Sequence, residues 1–184
     1  MNEKSKKFTL GTAYVALFSA LICVFSWISV PVPSSGISFT LQTLAVLLAA
    51  ALLGPRLGVL SVLVYIALGS AGVPVFSGFR GGAGVIAGVT GGYIVGFIFT
   101  ALIVGLSCRI FGMKLLPLIL SMTLGVIVCY AFGTAWYCVL FHGEKTLGAA
   151  LGACVLPYVP FDALKIAAAV FLSKKLYKFV GGKI

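Results

Sequence analysis

Two oppositely charged residues, Asp162 and Lys165, lie three positions apart in the last long apolar stretch of the chain. Residues at this spacing share one face of a helix. Charged side chains within membrane-type segments are costly and tend to mark functional sites. The pair has two interpretations: a neutralised ion pair that holds helices together, or a site for polar groups of a ligand. In the second, Asp162 accepts from N–H donors and Lys165 donates to a carbonyl or carboxylate.

A third charged candidate, Arg80, lies in the glycine-rich segment Phe76–Gly84. A glycine-rich loop allows the backbone to approach a ligand closely, and an arginine can bind a carboxylate through two parallel hydrogen bonds. The alternative is an arginine at the membrane interface with no ligand. The segment lacks the G-x-x-x-x-G-K-[ST] pattern of a phosphate-binding loop.

Residues for catalysis are scarce. The chain has only 3 acidic residues and one histidine, His142, which we expect to be a solvated loop residue. This leaves little room for acid–base catalysis by paired carboxylates, so we expect no enzyme activity, no metal site and no cofactor. The cysteines form no C-x-x-C pair and are expected to act as small buried apolar residues: Cys23, Cys108, Cys129, Cys138 and Cys154.

Composition places the chain in a membrane. Apolar residues make up 61% of it and charged residues 9%, whereas soluble domains have about 45–50% and about 25%. The net charge of +10 is not a nucleic-acid signal, because the charges stand at the chain ends and in short loops, next to lipid headgroups. We therefore predict an all-α, multi-pass protein of the cell membrane, with the lipid bilayer as its surroundings and no nucleic-acid partner.

Breaks in the apolar runs predict about six membrane-spanning helices in one domain. The first ends at Pro31 and Pro33, the second at Gly54-Pro55, and Pro157 and Pro160 interrupt the last region. The second and third are short for a full crossing, which leaves two alternatives: one of them is partly re-entrant, or the protein is locally thin. The predicted spans are residues 8–30, 39–53, 57–71, 85–107, 115–140 and 161–176, with a glycine-rich outer loop at 72–84 and a short helix at 146–155.

The basic residues predict the orientation of these spans. With the N-terminus in the cytoplasm, the outside receives only Arg80 and Lys145. The cytoplasmic side receives Lys4, Lys6, Lys7, Arg56, Arg109, Lys114, Lys174, Lys175, Lys178 and Lys183. Since basic residues favour the cytoplasmic side, both termini are expected there.

Small residues suggest two packing faces. Glycines recur at every fourth position from 84 to 96 and predict one flat ridge on the fourth span, for packing within the molecule or against another helix: Gly84, Gly88, Gly92 and Gly96. On the first span, Ala13, Ala16 and Ala20 form a smaller face. That face suits either internal packing or a partner helix.

Several motifs in order resemble the BioY family, the biotin-specific S-components of energy-coupling-factor transporters. The similarity runs from about residue 10 to about residue 175. It rests on Val30-Pro-Val-Pro33, Phe39-Thr-Leu-Gln-Thr-Leu-Ala-Val46, Leu53-Gly-Pro-Arg-Leu-Gly58, Gly72-Val-Pro-Val-Phe76, Thr90-Gly-Gly-Tyr93 and Leu156-Pro-Tyr-Val-Pro-Phe-Asp162 with Leu164-Lys165.

The resemblance implies a six-helix S-component bundle of a bacterial cell membrane, with a biotin pocket near its outer side. It also implies an EcfT-type transmembrane coupling subunit and two ATPase subunits as partners, with Ala13, Ala16 and Ala20 facing the coupling subunit. Asp162, Lys165 and Gln42 then suit the ureido ring, and Arg80 or Lys165 suits the carboxylate. Apolar walls are expected from Phe39, Phe79 and Tyr93. A stand-alone biotin facilitator and an S-component for another small vitamin remain alternatives.

Overall fold

The computed structural model describes residues 3–32, 36–141 and 147–180. Its long helices lie within the apolar runs of the sequence. The helices are α1 (Glu3–Trp27), α2 (Gln42–Ser70), α3 (Ala83–Ala87), α4 (Gly91–Phe111), α5 (Leu115–Leu140), α6 (Leu147–Cys154) and α7 (Val159–Val180). Two short strands, β1 (Ser29–Pro31) and β2 (Ser38–Thr40), pair in antiparallel fashion between α1 and α2.

The helices of the described residues have the length and composition of membrane spans. Four of them, α1, α2, α4 and α5, are long and apolar enough to cross a membrane, and α6 with α7, bent by 51° at their junction, make a fifth candidate. Pro160 falls in the first turn of α7, where its missing N–H costs nothing. The prediction of an all-α membrane protein is confirmed.

Helix α2 folds back on itself at Gly54. The backbone there has φ of 75° and ψ of −174°, which breaks the helix, and glycine adopts such a positive φ without strain. A Cβ atom on Gly58 would stand 2.9 Å from Ala50 Cα, although residues eight apart in a straight helix are separated by about 12 Å. The arms 42–53 and 55–70 therefore run antiparallel.

The glycine ridge is not one continuous surface. Gly84 belongs to α3, Gly88 adopts an extended backbone at the end of that helix, and α4 begins only at Gly91. The predicted helix over 85–107 is thus wrong at its start, because the chain turns at 88–90. Gly92 and Gly96 do pack internally: added Cβ atoms would stand 2.5 Å from Phe132 O and 2.9 Å from Cys129 Cα on α5.

The connection between the first and second predicted spans also differs from the prediction. Helix α1 ends at Trp27, and residues 29–31 and 38–40 form the two-stranded hairpin instead of helix. Proline and β-branched residues suit this extended backbone better than a helix. Several residues used in the sequence analysis lie outside the described part of the chain: Pro33, His142, Lys145 and Lys183.

Two described basic residues, Arg80 in the 72–82 loop and Lys165 in α7, lie apart from the others. The remaining described basic residues lie at one end of the bundle. Gly11 on α1 approaches Leu57, just after the α2 reversal, and Gly105 on α4 approaches Pro55. One apolar cluster joins Leu53 to Met113 and to Val180 near the end of α7. This end carries Lys6, Lys7, Arg56, Arg109, Lys114, Lys174, Lys175 and Lys178, as the predicted orientation requires. Arg80, Asp162 and Lys165 lie toward the opposite end.

Candidate functional site

Asp162 stands in the first turn of α7 and is 6% exposed. Its Oδ1 atom accepts a hydrogen bond of 2.7 Å from Lys165 Nζ, one turn further along the helix. Its Oδ2 atom accepts from the hydroxyl of Tyr130 on α5. Both carboxylate oxygens are therefore held, and a buried charge is tolerated because it is paired and hydrogen-bonded.

Lys165 is also 6% exposed. Its Nζ atom lies 4.1 Å from the centroid of the Phe39 ring, a distance at which an aromatic face attracts a cation. The Phe39 ring in turn packs edge-on against Phe161, with centroids 4.6 Å apart, and stacks on Tyr158. The strand β2 and the start of α7 are thus joined around the ion pair.

A small cavity of about 80 Å³ adjoins this pair. It brings together residues from β2, both arms of α2, the 72–82 loop, α4, α5, α6 and α7, among them Gln42, Tyr65, Ser77, Arg80, Tyr93, Tyr130 and Asp162. Helix α2 contributes from both arms because it reverses at Gly54: Gln42 and Tyr65 would be about 35 Å apart in a straight helix.

Three polar atoms of the cavity residues are buried and make no hydrogen bond of regular geometry in the described part of the chain, although the Gln42 and Tyr65 side chains lie close to each other: Gln42 Nε2, Tyr65 Oη and Ser77 Oγ. A buried polar atom without a partner costs roughly 1–3 kcal/mol. A ligand that supplied partners would recover this free energy. The cavity therefore has a carboxylate at Asp162 together with hydroxyl and amide groups contributed by other elements.

Arg80 lines the cavity and is exposed on its other side. Its backbone forms two hydrogen bonds with Phe76, and its Nε atom donates to Ser77 O at 3.0 Å. This ties the arginine to the 72–82 loop. No carboxylate among the described side chains pairs with Arg80.

The aromatic residues expected as walls divide into two groups. Tyr93 lines the cavity, with its hydroxyl 3.3 Å from Cys154 O. Phe39 and Lys165 do not line it, and the Phe39 ring packs against Lys165 beside the cavity. Phe79 does not reach the cavity: it is 64% exposed and its ring stacks on Trp27 at a centroid distance of 5.3 Å. The loop turns Phe79 outward, whereas Ser77 and Arg80 contribute to the cavity.

Sequence reasoning missed Tyr130, Tyr65 and Ser77. Their signals are weak, since a tyrosine in an apolar helix resembles an ordinary core aromatic and a serine in a loop often bonds to nearby backbone groups. The structure distinguishes them by position, because all three line the cavity to which Asp162 also contributes.

The predicted partner face lies on α1, away from the cavity. Its three residues, Ala13, Ala16 and Ala20, are all exposed.

Comparison with known proteins adds the following findings. The sequence model of the BioY family matches residues 1–182. The chain is 38% identical to the "Biotin transporter BioY" of Thermotoga maritima, over 88% of this chain and 92% of that protein. It is 41% identical to the "Probable biotin transporter BioY" of Pyrococcus horikoshii, over 88% and 93%. A crystal structure of the S-component for biotin from an ECF-type ABC transporter superposes with a TM-score of 0.87 at 26% identity, covering 97% of this chain and 95% of that one.

Proposed function

The chain belongs to the BioY family, and from that premise we propose that it binds biotin at the outer side of the membrane and delivers it as the substrate-specific S-component of an energy-coupling-factor transporter. The observation that carries the proposal is the buried Asp162–Lys165 pair beside a cavity lined by further polar groups. This chain covers most of the length of the Thermotoga maritima and Pyrococcus horikoshii relatives, and both are named as biotin transporters.

The chemistry of biotin matches the side chains around the cavity. Its ureido ring offers two N–H donors that suit the Asp162 carboxylate, and a carbonyl that suits Lys165 or the unpartnered amide of Gln42. Its carboxylate suits Arg80, and its apolar ring and chain suit Tyr93 and Phe39. A buried polar group left without a partner costs roughly 1–3 kcal/mol. An analogue without the ureido group would leave polar side chains of the site unpaired, so the site favours biotin.

The cavity must enlarge when biotin enters. Its volume of about 80 Å³ lies below the roughly 300–1,000 Å³ of ligand pockets. The 72–82 loop and strand β2 line one side of it, and their movement would open the site without breaking a helix.

We propose that two ATPase subunits supply the energy for uptake through a transmembrane coupling subunit, because the matching solved structure is an S-component of an ECF-type ABC transporter. We further propose six membrane crossings, counting each arm of α2 as one, with both termini in the cytoplasm. The collection of basic residues at the α2-reversal end supports this orientation.

Biotin binding by the purified, detergent-solubilised protein tests the proposal. Wild type is expected to bind biotin stoichiometrically, Asp162→Asn to lose binding, and Arg80→Ala to bind more weakly. Because Asp162→Asn leaves Lys165 as an unpaired buried cation, the double variant Asp162→Asn/Lys165→Gln serves as the charge-matched control. It should fold like wild type and still fail to bind. A folded wild type that ignores biotin, or binds another vitamin better, would contradict the proposal.

A further inference from the structure

A second cavity, of about 1030 Å³, lies between α5 and α7 beneath α6. Its walls are almost entirely apolar: Val126 and Ile127 represent the α5 side, and Ile166 and Val170 the α7 side. We call this space the α5–α7 cleft. It is far larger than the polar cavity and lies between two helices that we assign to the membrane.

Neither water nor empty space suits the α5–α7 cleft. A buried water needs two to four polar partners, and the cleft's polar groups are few. The Asp162 carboxylate is already bonded to Lys165 and Tyr130, and Thr134 Oγ1 is the one buried polar atom of the lining residues that makes no hydrogen bond of regular geometry in the described part of the chain. Its rim continues into side chains that face the membrane, such as Ile127, which is 55% exposed. The fluid that surrounds this rim is lipid hydrocarbon.

The dimensions of the cleft distinguish its occupant. Along α7 it extends from Val159 to Val170, about 17 Å at the rise of an α-helix, and along α5 from Ile119 to Ala135, about 24 Å. Both lengths are below the roughly 30 Å of a bilayer's hydrocarbon core. Leu151 of α6 contributes to the outer end of the cleft, so a full-length partner helix, about 10–12 Å wide, would meet α6.

We propose that the α5–α7 cleft is a binding site for an acyl chain of a membrane lipid, which enters sideways from the bilayer. The chain is flexible and narrow enough to lie under α6, and it needs no polar partner along its length. Tyr130 and Asp162 line both the cleft and the polar cavity. The acyl chain therefore packs against the outer side of the wall that holds the ion pair and keeps water from reaching it through the cleft.

Filling the cleft tests the site directly. Ala167 on α7 lines the cleft, whereas Leu164 on the same helix does not and is 69% exposed to the membrane. Wild type, Ala167→Trp and the control Leu164→Trp would be reconstituted in dioleoylphosphatidylcholine vesicles, extracted in mild detergent and examined by native mass spectrometry. Wild type and Leu164→Trp are expected to retain lipid, and Ala167→Trp to retain severalfold less. Equal retention by all three proteins, or a protein dimer without lipid, would overturn the inference.

A second measurement tests the site without blocking the cleft by a bulky side chain. The substitution Ile127→Trp places a fluorophore at the rim of the cleft, and dibrominated phosphatidylcholine would quench it. After transfer to unbrominated lipid, quenching should persist in Ile127→Trp and disappear promptly in Leu164→Trp, both measured as differences from wild type. Equally fast recovery in the two variants would mean ordinary membrane contact and would refute a bound chain.

One consequence rests on the proposed function: extensively delipidated wild type should bind biotin severalfold more weakly and recover when dioleoylphosphatidylcholine is added. The two hypotheses fail separately. Lipid retention without any biotin binding would contradict only the proposed function. Biotin binding that is unaffected by delipidation, in a protein that retains no lipid, would contradict only the acyl-chain site.

Discussion

Asp162 shares its two carboxylate oxygens between neighbours of different character. Lys165 comes from the same helix and neutralises the charge, whereas Tyr130 comes from α5 and fixes the direction of the carboxylate. A charged group held in this way keeps its remaining lone pairs in a defined orientation. For a ligand with N–H donors, this orientation lowers the cost of ordering the site on binding.

Replacing Tyr130 tests that role. Tyr130→Phe removes one hydrogen bond to a charged group, worth about 1.5–3 kcal/mol, and lets the Asp162 carboxylate rotate. Biotin affinity, measured by titration calorimetry, should therefore fall by about tenfold or more. Tyr93→Phe is the matched control, since its hydroxyl bonds to a neutral backbone oxygen at 3.3 Å, and its loss should be smaller. A larger effect at Tyr93 would assign the direct role to that residue instead.

At the scale of elements, the reversal of α2 determines which side chains meet at the site. Gly54 permits the turn, and Gly58 permits the arms to approach, because its missing Cβ atom leaves room for the backbone of Ala50. The approach brings Gln42 and Tyr65 into one cavity. The same device recurs between α4 and α5, where Gly96 lies against Cys129.

The close approach of the two arms predicts the effect of adding a methyl group at Gly58. Gly58→Ala should destabilise the protein by roughly 1–3 kcal/mol, as overpacking does, although alanine is the better helix former. In the control, Gly148→Ala on α6, the new Cβ atom meets nothing within 4 Å. It should be neutral or stabilise by up to about 1 kcal/mol. Thermal unfolding in detergent measures both, and equal melting temperatures would argue against the tight hairpin.

In the whole molecule, the two ends of the bundle differ in charge and in the sites that they carry. One end carries eight described basic side chains, and the other carries the ion pair and its cavity. Between them, the small residues of α1 face outward on a bundle whose other exposed side chains are mostly large and apolar. Such a face lets a second helix approach closely.

A bulky residue on that face should separate docking from binding. Ala16→Trp is expected to abolish or strongly reduce co-purification with the coupling subunit and ATPases, while biotin binding stays at the wild-type value because α1 lines no part of the polar cavity. Leu120→Trp is the control: Leu120 lies on α5 and is 59% exposed. Undiminished co-purification of Ala16→Trp would remove the α1 face from the interface.

The environment, the helical class, most of the helix breaks and the pair of charges on one helix could be predicted from the amino-acid sequence. These follow from composition and local spacing, because lipid replaces water around apolar residues and glycine and proline interrupt helices wherever they fold. Even the two short segments around Gly54-Pro55 were predictable, since a proline after a glycine ends a helix. Asp162 and Lys165 were identifiable because an ion pair three residues apart needs no knowledge of other helices.

Which other residues lie beside Asp162 and Lys165 depends on how the helices pack. Tyr130 is separated from Asp162 by 32 positions, and Gln42 and Tyr65 meet only after α2 reverses. In a soluble protein, the alternation of polar and apolar residues shows which helix face is buried. Here lipid and core are both apolar, so the pattern says little about which face of a helix is buried and which contacts lipid. For the same reason the sequence did not reveal that Phe79 turns outward, that Gly84 and Gly92 belong to different helices, or that α5 and α7 leave a cleft between them.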